Sequence, residues 1–296
     1  MEPAHLTKPE VKALLALAQR QAGKAQKELF LEGPKIIMEA LQSDWSPLLV
    51  VVPTNRSAEV LEILSRLPRE VLVRTASFSE MERISRLKSP PSVMASFEVP
   101  EWFKLQERRS GGVPHQGQQL APWWIVADRI QDPGNLGTMI RIADWFGFEG
   151  LICSPDTVDC FNAKVIQASM GSLFRVPVHY TDLNPSALFR LTGMMFPEYS
   201  SSIREQVAHD EAQDGPWVLA TMPGGMDLNR LQFPKQGGIL LVGNESQGLS
   251  QNVLDLATHR VGIPSFGSAE SLNAAVATGI FANAIRQAEA IESEGS

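Results

Sequence analysis

Five consecutive apolar residues, Leu48-Leu49-Val50-Val51-Val52, ended by Pro53, restrict this chain more than any other feature. A strand with one wet face alternates apolar and polar residues, so an unbroken apolar run suits a strand buried on both faces. Such a strand needs layers above and below it, and the flanking sequence supplies helical patterns. Residues 9–29 place Val11, Leu14, Leu15, Leu17, Ala18 and Ala22 at helical spacing, which predicts an amphipathic helix over the whole stretch. After Gly33-Pro34 a short helix is expected around Ile36–Leu41, then helices near Ala58–Leu67 and Glu80–Leu87 and strands near Val71–Val73 and Val93–Phe97. This alternation describes a small α/β layer domain.

At 296 residues, with 44% hydrophobic content, the chain is long enough for two such cores. Between Lys104 and Pro122 the sequence turns to Gln, Gly, Arg and Pro, including Arg108-Arg109-Ser110-Gly111-Gly112, a composition that cannot form a core and reads as a linker carrying a solvated His115. The expected division is an N-terminal domain over 1–103, a linker over 104–121 and a second domain over 122–296. The second domain opens with a strand at Trp123–Ala127, and further strands are expected at Leu151–Cys153, Trp217–Thr221, Gly238–Val242 and Val261–Ile263. Helices are expected with Leu136, Met139, Ile140, Ala143 and Phe146 on one apolar stripe, near Ala163–Met170 and from about Ser271 to Ala290, giving a mostly parallel α/β pattern; residues 193–215 read as a polar surface insertion.

No apolar run approaches the ~20 residues that span a bilayer. Cys153 and Cys160 have neither disulfide-framework nor zinc-ligand spacing, so they read as reduced thiols of a cytoplasmic protein. The net charge of −7 excludes a chain coated in basic patches. Its distribution is uneven: residues 1–110 hold 16 Lys and Arg against 14 Asp and Glu, and residues 111–296 hold 10 against 19. An RNA partner would find its electrostatic platform in the first part, although chance drift in solvated faces accounts for the asymmetry equally well.

Three loops carry polar residues where chemistry would need them. Asp132-Pro133-Gly134-Asn135-Leu136-Gly137 ends a strand and opens a helix, where free N–H groups and the helix dipole favour an anion; Arg141 follows, with Asp144 as a possible surface partner at i+3. Gly243-Asn244-Glu245-Ser246-Gln247-Gly248-Leu249-Ser250 also follows an apolar strand, two glycines flanking a carboxylate. It lacks the Lys-Ser/Thr of a P-loop, and no GxGxxG occurs, which disfavours ATP chemistry and a standard dinucleotide site. Ile263-Pro264-Ser265-Phe266-Gly267-Ser268-Ala269-Glu270-Ser271-Leu272-Asn273 feeds a helix rich in Ala and Gly. Each loop alone also reads as an ordinary turn or helix cap.

In this order the loops closely resemble the three signature motifs of the SpoU class of the SPOUT superfamily, the 2′-O-ribose RNA methyltransferases. Asn135 and Arg141 match the first motif, Gly243, Glu245, Gly248 and Leu249 the second, and Ile263-Pro264, Gly267 and Glu270-Ser271-Leu272-Asn273 the third. Leu31-Glu32-Gly33 before a helix, with Ser89 to Ala95 before the linker, is similar to the small RNA-binding domain of many members. The resemblance implies a C-terminal α/β domain with a trefoil knot, an exception to the rule that chains do not thread themselves. It further implies a homodimer, S-adenosylmethionine held against backbone near Thr221, Gly243, Ile263 and Leu272, no required metal, and a site built from Arg141, Asn135, Glu245, Ser271 and Asn273. Ribosomal RNA is the favoured substrate over transfer RNA. The chain departs from the pattern at Ser265, where methionine is common, and at Ala274-Ala275, where Val-Ser is usual.

A ribose hydroxyl must lose its proton to act as a nucleophile, and a guanidinium stays protonated. Arg141 is therefore read as a residue that orients phosphate and hydroxyl, with the route of deprotonation left open. Two other classes compete: a non-catalytic RNA-binding protein keeping the knotted fold, and an unrelated nucleotide-binding α/β protein. Retention of all five polar site residues favours the enzyme.

Overall fold

The computed structural model describes residues 3–19, 27–87, 89–104, 120–194, 217–231, 233 and 236–294. The N-terminal part runs α1 (Lys8–Gln19), β1 (Glu28–Glu32), α2 (Pro34–Leu41), β2 (Ser46–Pro53), α3 (Ala58–Arg66), β3 (Leu72–Ala76), α4 (Phe78–Ile84), β4 (Met94–Glu98) and α5 (Glu101–Lys104). Its sheet has the order β1-β4-β2-β3, with β4 antiparallel to both neighbours and β2 parallel to β3. The apolar run lies in β2, where Val50, Val51 and Val52 are buried. Val50 and Val52 face one core, with Ile37, Val60 and Ile63, and Val51 faces the other, with Leu14, Met81 and Ile84.

The helix expected over 9–29 stops at Gln19, and its last residues are a strand. In β1, Leu29 and Leu31 are buried while Glu28, Phe30 and Glu32 are partly exposed, a period of two that pairs with β4 and overrides the helical pattern before it. Most of the expected linker and insertion, including His115, lies outside the described residues.

The second part continues with β5 (Trp123–Asp128), α6 (Pro133–Trp145), β6 (Gly150–Cys153), α7 (Ala163–Ser169), β7 (Val178–Tyr180), α8 (Pro185–Thr192), β8 (Trp217–Asp227), β9 (Gly238–Gly243), α9 (Gln251–Leu254), β10 (His259–Gly262) and α10 (Ala274–Glu294). All pairings in its six-stranded sheet, ordered β10-β8-β9-β5-β6-β7, are parallel. One face packs on α6, α7 and α10 through Trp123, Ile125, Leu240 and Val242; the other packs on α8 and α9 through Trp124, Val126, Ile239 and Leu241. The expected order of elements holds, with β7, α8 and α9 added. The last helix begins three residues later than Ser271, because Asn273 caps it with its side chain.

Two features locate the site. The chain order of the strands reverses at β5, with β6 on one side and β9 on the other, and crevices at the carboxyl ends beside such a switch bind ligands in open α/β sheets. In addition, β8 pairs with β10 through Leu219 and Ala220 and again through Met226 and Asp227, so residues 221–225 bulge out of the ladder near that same end.

The two parts share one core. Trp45 packs edge-on against Phe103, Phe161 and Phe174, with centroids 5.4, 6.2 and 5.2 Å away. Arg175, just after the last of these, donates to Asp144 Oδ2 on α6 at 2.8 Å and to Glu39 Oε2 on α2 at 3.1 Å. Among the described residues, no helix is long and apolar enough to cross a membrane. Cys153 and Cys160 are buried free thiols, and burial pushes the Cys160 thiol well above its ordinary range, which makes it a poor nucleophile.

Candidate active site

The carboxyl ends of β5 and β9 are adjacent, with Asp128 in register with Gly243. Immediately after β9, Asn244 and Gly248 exchange backbone hydrogen bonds of 3.1 and 2.9 Å, closing a tight loop with Glu245 exposed near its tip. Asn244 Oδ1 accepts from the N–H groups of Ser246 and Gln247 at 2.9 and 3.0 Å, stiffening the turn. Gly243 has no room for a side chain: a Cβ there would lie 2.3 Å from the Gly248 carbonyl carbon and 2.4 Å from Leu249 N. Gly248 has φ of +67° with open space around its Cα, so its glycine serves backbone conformation instead.

The three loops are joined by side chains. Asn135, nearly buried in the first turn of α6, donates from Nδ2 to Glu245 Oε1 at 2.5 Å. Its Oδ1 accepts from Asn273 Nδ2 at 2.8 Å. Asn273 Oδ1 in turn accepts from the N–H groups of Ala275 and Val276, so one residue caps α10 and closes the chain Asn273–Asn135–Glu245. The structure thus unites three of the five expected polar residues by direct contact. Arg141 lies on the exposed face of α6, with neither hydrogen bond nor ion pair among the described residues; the surface partner considered for it, Asp144, is engaged by Arg175 instead. Ser271 is exposed, and its hydroxyl likewise has no partner among the described residues.

One expectation for the first loop fails. The start of α6 was expected to offer donors to an anion, but Asp132 caps it, its Oδ1 accepting from Asn135 N at 2.8 Å, and Pro133 has no N–H to offer. That carboxylate already answers the helix dipole. On α10, Gly279 leaves room for a side chain, since a Cβ there would meet Ile142 at an ordinary 3.6 Å.

The residues expected around S-adenosylmethionine converge at the same end of the sheet. Thr221 opens the β8 bulge with its hydroxyl donating to Leu241 O at 2.9 Å, and Ile263 follows β10. Leu272 is 49% exposed and Phe266 fully exposed, and among the described residues the N–H groups of residues 265–272 carry no hydrogen bond. Backbone donors unused among the described residues, beside apolar side chains and with open space around Gly267, fit an adenosine-type group: an apolar plane with polar edges.

Sequence reasoning missed Asp128, Arg129 and Asn244. Asp128 is buried, and its Oδ2 accepts from Ser250 N at 2.6 Å, tying β5 to the far end of the Glu245 loop. The available signal was a charged pair, Asp128-Arg129, directly continuing an apolar strand.

A doubly covered parallel sheet with these loops at its switch point has the SPOUT fold of RNA methyltransferases. The chain belongs to the SpoU rRNA methylase family, whose model matches residues 122–283; the model of the MRM3-like substrate binding domain matches residues 8–95. It is 30% identical to the 23S rRNA (uridine(2479)-2′-O)-methyltransferase of Streptomyces viridochromogenes, covering 88% of this chain and 83% of that one. It is 27% identical to the 23S rRNA (guanosine(2553)-2′-O)-methyltransferase RlmP of Bacillus subtilis, covering 86% and 87%. Among solved structures it resembles the SpoU methyltransferase AviRb from S. viridochromogenes in complex with AdoMet, with a TM-score of 0.73, 25% identity and coverage of 95% and 98%.

Proposed function

We propose that this protein transfers the methyl group of S-adenosylmethionine to a ribose 2′-hydroxyl of ribosomal RNA. The observation that carries the reading is the hydrogen-bonded chain Asn273–Asn135–Glu245, which locks the three loops together, with Arg141 on the same helix as Asn135 and unpaired among the described residues. A set of polar groups held to each other and to backbone is preorganised, and positioning is what this reaction most needs. The names of the Streptomyces and Bacillus relatives support both the 2′-oxygen and ribosomal RNA, and the AdoMet complex of the structural relative supports the cofactor.

The sulfonium of the bound cofactor supplies a methyl carbon that is already electrophilic. Thr221, Gly243, Ile263 and Leu272 hold the cofactor from the bulge and the second and third loops. Arg141, permanently charged and without a hydrogen bond or ion pair among the described residues, grips the phosphate beside the target ribose and orients the 2′-hydroxyl. Asn135, itself held by Asn273, fixes the Glu245 carboxylate, and the Ser271 hydroxyl, without a partner among the described residues, is available to the substrate. The 2′-oxygen takes the methyl group, its proton leaves to solvent or a substrate oxygen, and S-adenosylhomocysteine is released.

Residues 1–103 form the RNA-binding domain, 104–121 the linker and 122–296 the catalytic domain, a division supported by the two family matches at 8–95 and 122–283. The trefoil knot is proposed from membership of the SpoU family. A homodimer is supported by the apolar surface of α6 and α10, where Trp145, Val276 and Ile280 are 78, 53 and 37% exposed. The bacterial rRNA-modifying relatives support a cytoplasmic place, and the proposed reaction calls for no metal.

Mapping of 2′-O-methylation across total RNA from cells with and without the protein tests the reading. One ribosomal RNA nucleotide should lose its mark in the deletion strain and regain it on complementation. An unchanged map, with no binding of S-adenosylmethionine or its demethylated product at millimolar concentration, would support the non-catalytic alternative instead.

A further inference from the structure

Arg129 follows β5 with φ of 58°, the left-handed region that an L side chain adopts only when its surroundings demand it. Its surroundings engage its backbone N–H and carbonyl and both terminal guanidinium nitrogens. The N–H donates to Ser154 Oγ at 2.8 Å, and the carbonyl accepts from Asn244 Nδ2 at 2.9 Å. Nη1 donates to Gln247 Oε1 at 2.8 Å and Nη2 to Gly248 O at 3.2 Å. Nε is buried, 3.5 Å from Asp128 Oδ1 and without a hydrogen bond among the described residues.

These contacts share a destination. Asn244, Gln247 and Gly248 belong to the closed loop that presents Glu245, and Gly248 O is the acceptor that closes it, taking Asn244 N at 3.1 Å as well as the guanidinium. The loop is therefore gripped at its base by the side chain and carbonyl of one residue, and near its tip by Asn135. A left-handed turn at 129 brings the carbonyl and the guanidinium to the same loop. Strained backbone persists where neighbouring contacts over-determine it, and such residues cluster at functional sites.

We propose that Arg129 is a positioning residue for methyl transfer, setting the placement of the Glu245 loop against the cofactor and Asn135 without touching a reacting atom. The proposal rests on the methyltransferase reading above. It separates two properties that a merely structural residue would keep together. Glycine at 129 relieves the disfavoured backbone while removing the clamp, so the fold should be kept and catalysis lost. Lysine is a point charge that cannot reach Gln247 Oε1 and Gly248 O in the planar fork geometry, so it should restore little.

The test uses the full-length protein with Arg129→Gly, Arg129→Lys and Gln247→Ala, reading thermal melting, single-turnover transfer, and calorimetric affinity for S-adenosylhomocysteine as the probe. Arg129→Gly should melt within a few degrees of wild type, transfer at least tenfold more slowly and bind the probe several-fold more weakly, with RNA affinity unchanged. Arg129→Lys should resemble it, and Gln247→Ala should fall between it and wild type. Wild-type transfer and probe affinity in Arg129→Gly, or losses that track the melting temperature across the series, would overturn the proposal. A wild-type protein that binds the probe but methylates no RNA would instead defeat the functional reading, while the affinity series still tests the clamp.

Discussion

Gly243→Ala is the substitution for which the structure gives the clearest magnitude. The new methyl carbon would lie 2.3 Å from the Gly248 carbonyl carbon and 2.4 Å from Leu249 N, against roughly 3.5–4.0 Å for a relaxed carbon contact. Both obstacles are backbone, so no side chain can swing away; the Glu245 loop must move by about 1 Å or more. Overpacking of this kind costs about 1–3 kcal/mol. A misplacement near 1 Å at a catalytic loop costs about 10²-fold in rate. Thermal melting with single-turnover transfer and cofactor calorimetry should therefore show a modest loss of stability, a rate lower by about two orders of magnitude and weakened cofactor binding. Gly248→Ala is the internal control. It has open space but φ of +67°, so it should cost only the left-handed backbone, about 1–2 kcal/mol, with a much smaller effect on rate. A Gly243→Ala protein with wild-type affinity and rate would show that the loop has no fixed position relative to β9 and would refute the reasoning.

Other outcomes follow from the same geometry. Trp45→Ala should destabilise by about 3–5 kcal/mol and split a single urea transition into two, because Trp45 joins the N-terminal sheet to Phe161 and Phe174; one unchanged cooperative transition would contradict the shared core. His179 is buried and its pKa is lowered from 6.5 to about 4 by desolvation, so the unfolded chain binds its proton first as pH falls. Stability should then drop by about 3 kcal/mol between pH 6.5 and 4 and level off below, with His259 adding in the same sense, and His179→Leu should flatten most of that slope in denaturant titrations. Lys35, exposed beside Gly33 on α2, should contribute a phosphate contact, so Lys35→Ala should lower the salt slope of RNA binding by about 1 and leave cofactor affinity unchanged. Removing residues 1–100 would be a poorer test, since it would uncover Phe161 and Phe174.

The parts of this fold that were legible in the sequence are those set by local pattern. The apolar run at Leu48–Val52 is β2, the periodic stretch 58–67 is α3, and the strands starting at Trp123 and Gly238 are β5 and β9. β7 was missed because three residues, Val178-His179-Tyr180, carry no period. α8 was missed although Asn184 caps it, Pro185 opens it and Gly193 ends it, a complete set of boundary signals around a short helix. β8 was expected to stop at Thr221, but tertiary pairing of Met226 and Asp227 with β10 carries it on past a bulge, a contact that no local pattern encodes. At the site, Asn135, Arg141, Glu245, Ser271 and Asn273 were named through the resemblance of three motifs to the SpoU signatures, since each loop alone also reads as an ordinary turn or helix cap. The backbone of Arg129 and its reach of over 110 residues to Gln247 did not stand out, since no local pattern encodes a left-handed residue held by a distant loop.

The most direct test of the central claim is a single-turnover assay with methyl-labelled S-adenosylmethionine and ribosomal RNA from cells lacking the protein, the RNA then digested to nucleosides. Wild type should place the label on a ribose 2′-oxygen. Arg141→Ala should fold and bind cofactor as wild type, because its side chain is exposed and unpaired among the described residues, yet transfer at least about 10²-fold more slowly. Arg141→Lys should remain badly impaired, keeping charge without the planar fork. Label on a base, or near-normal transfer by folded Arg141→Ala, would contradict the account.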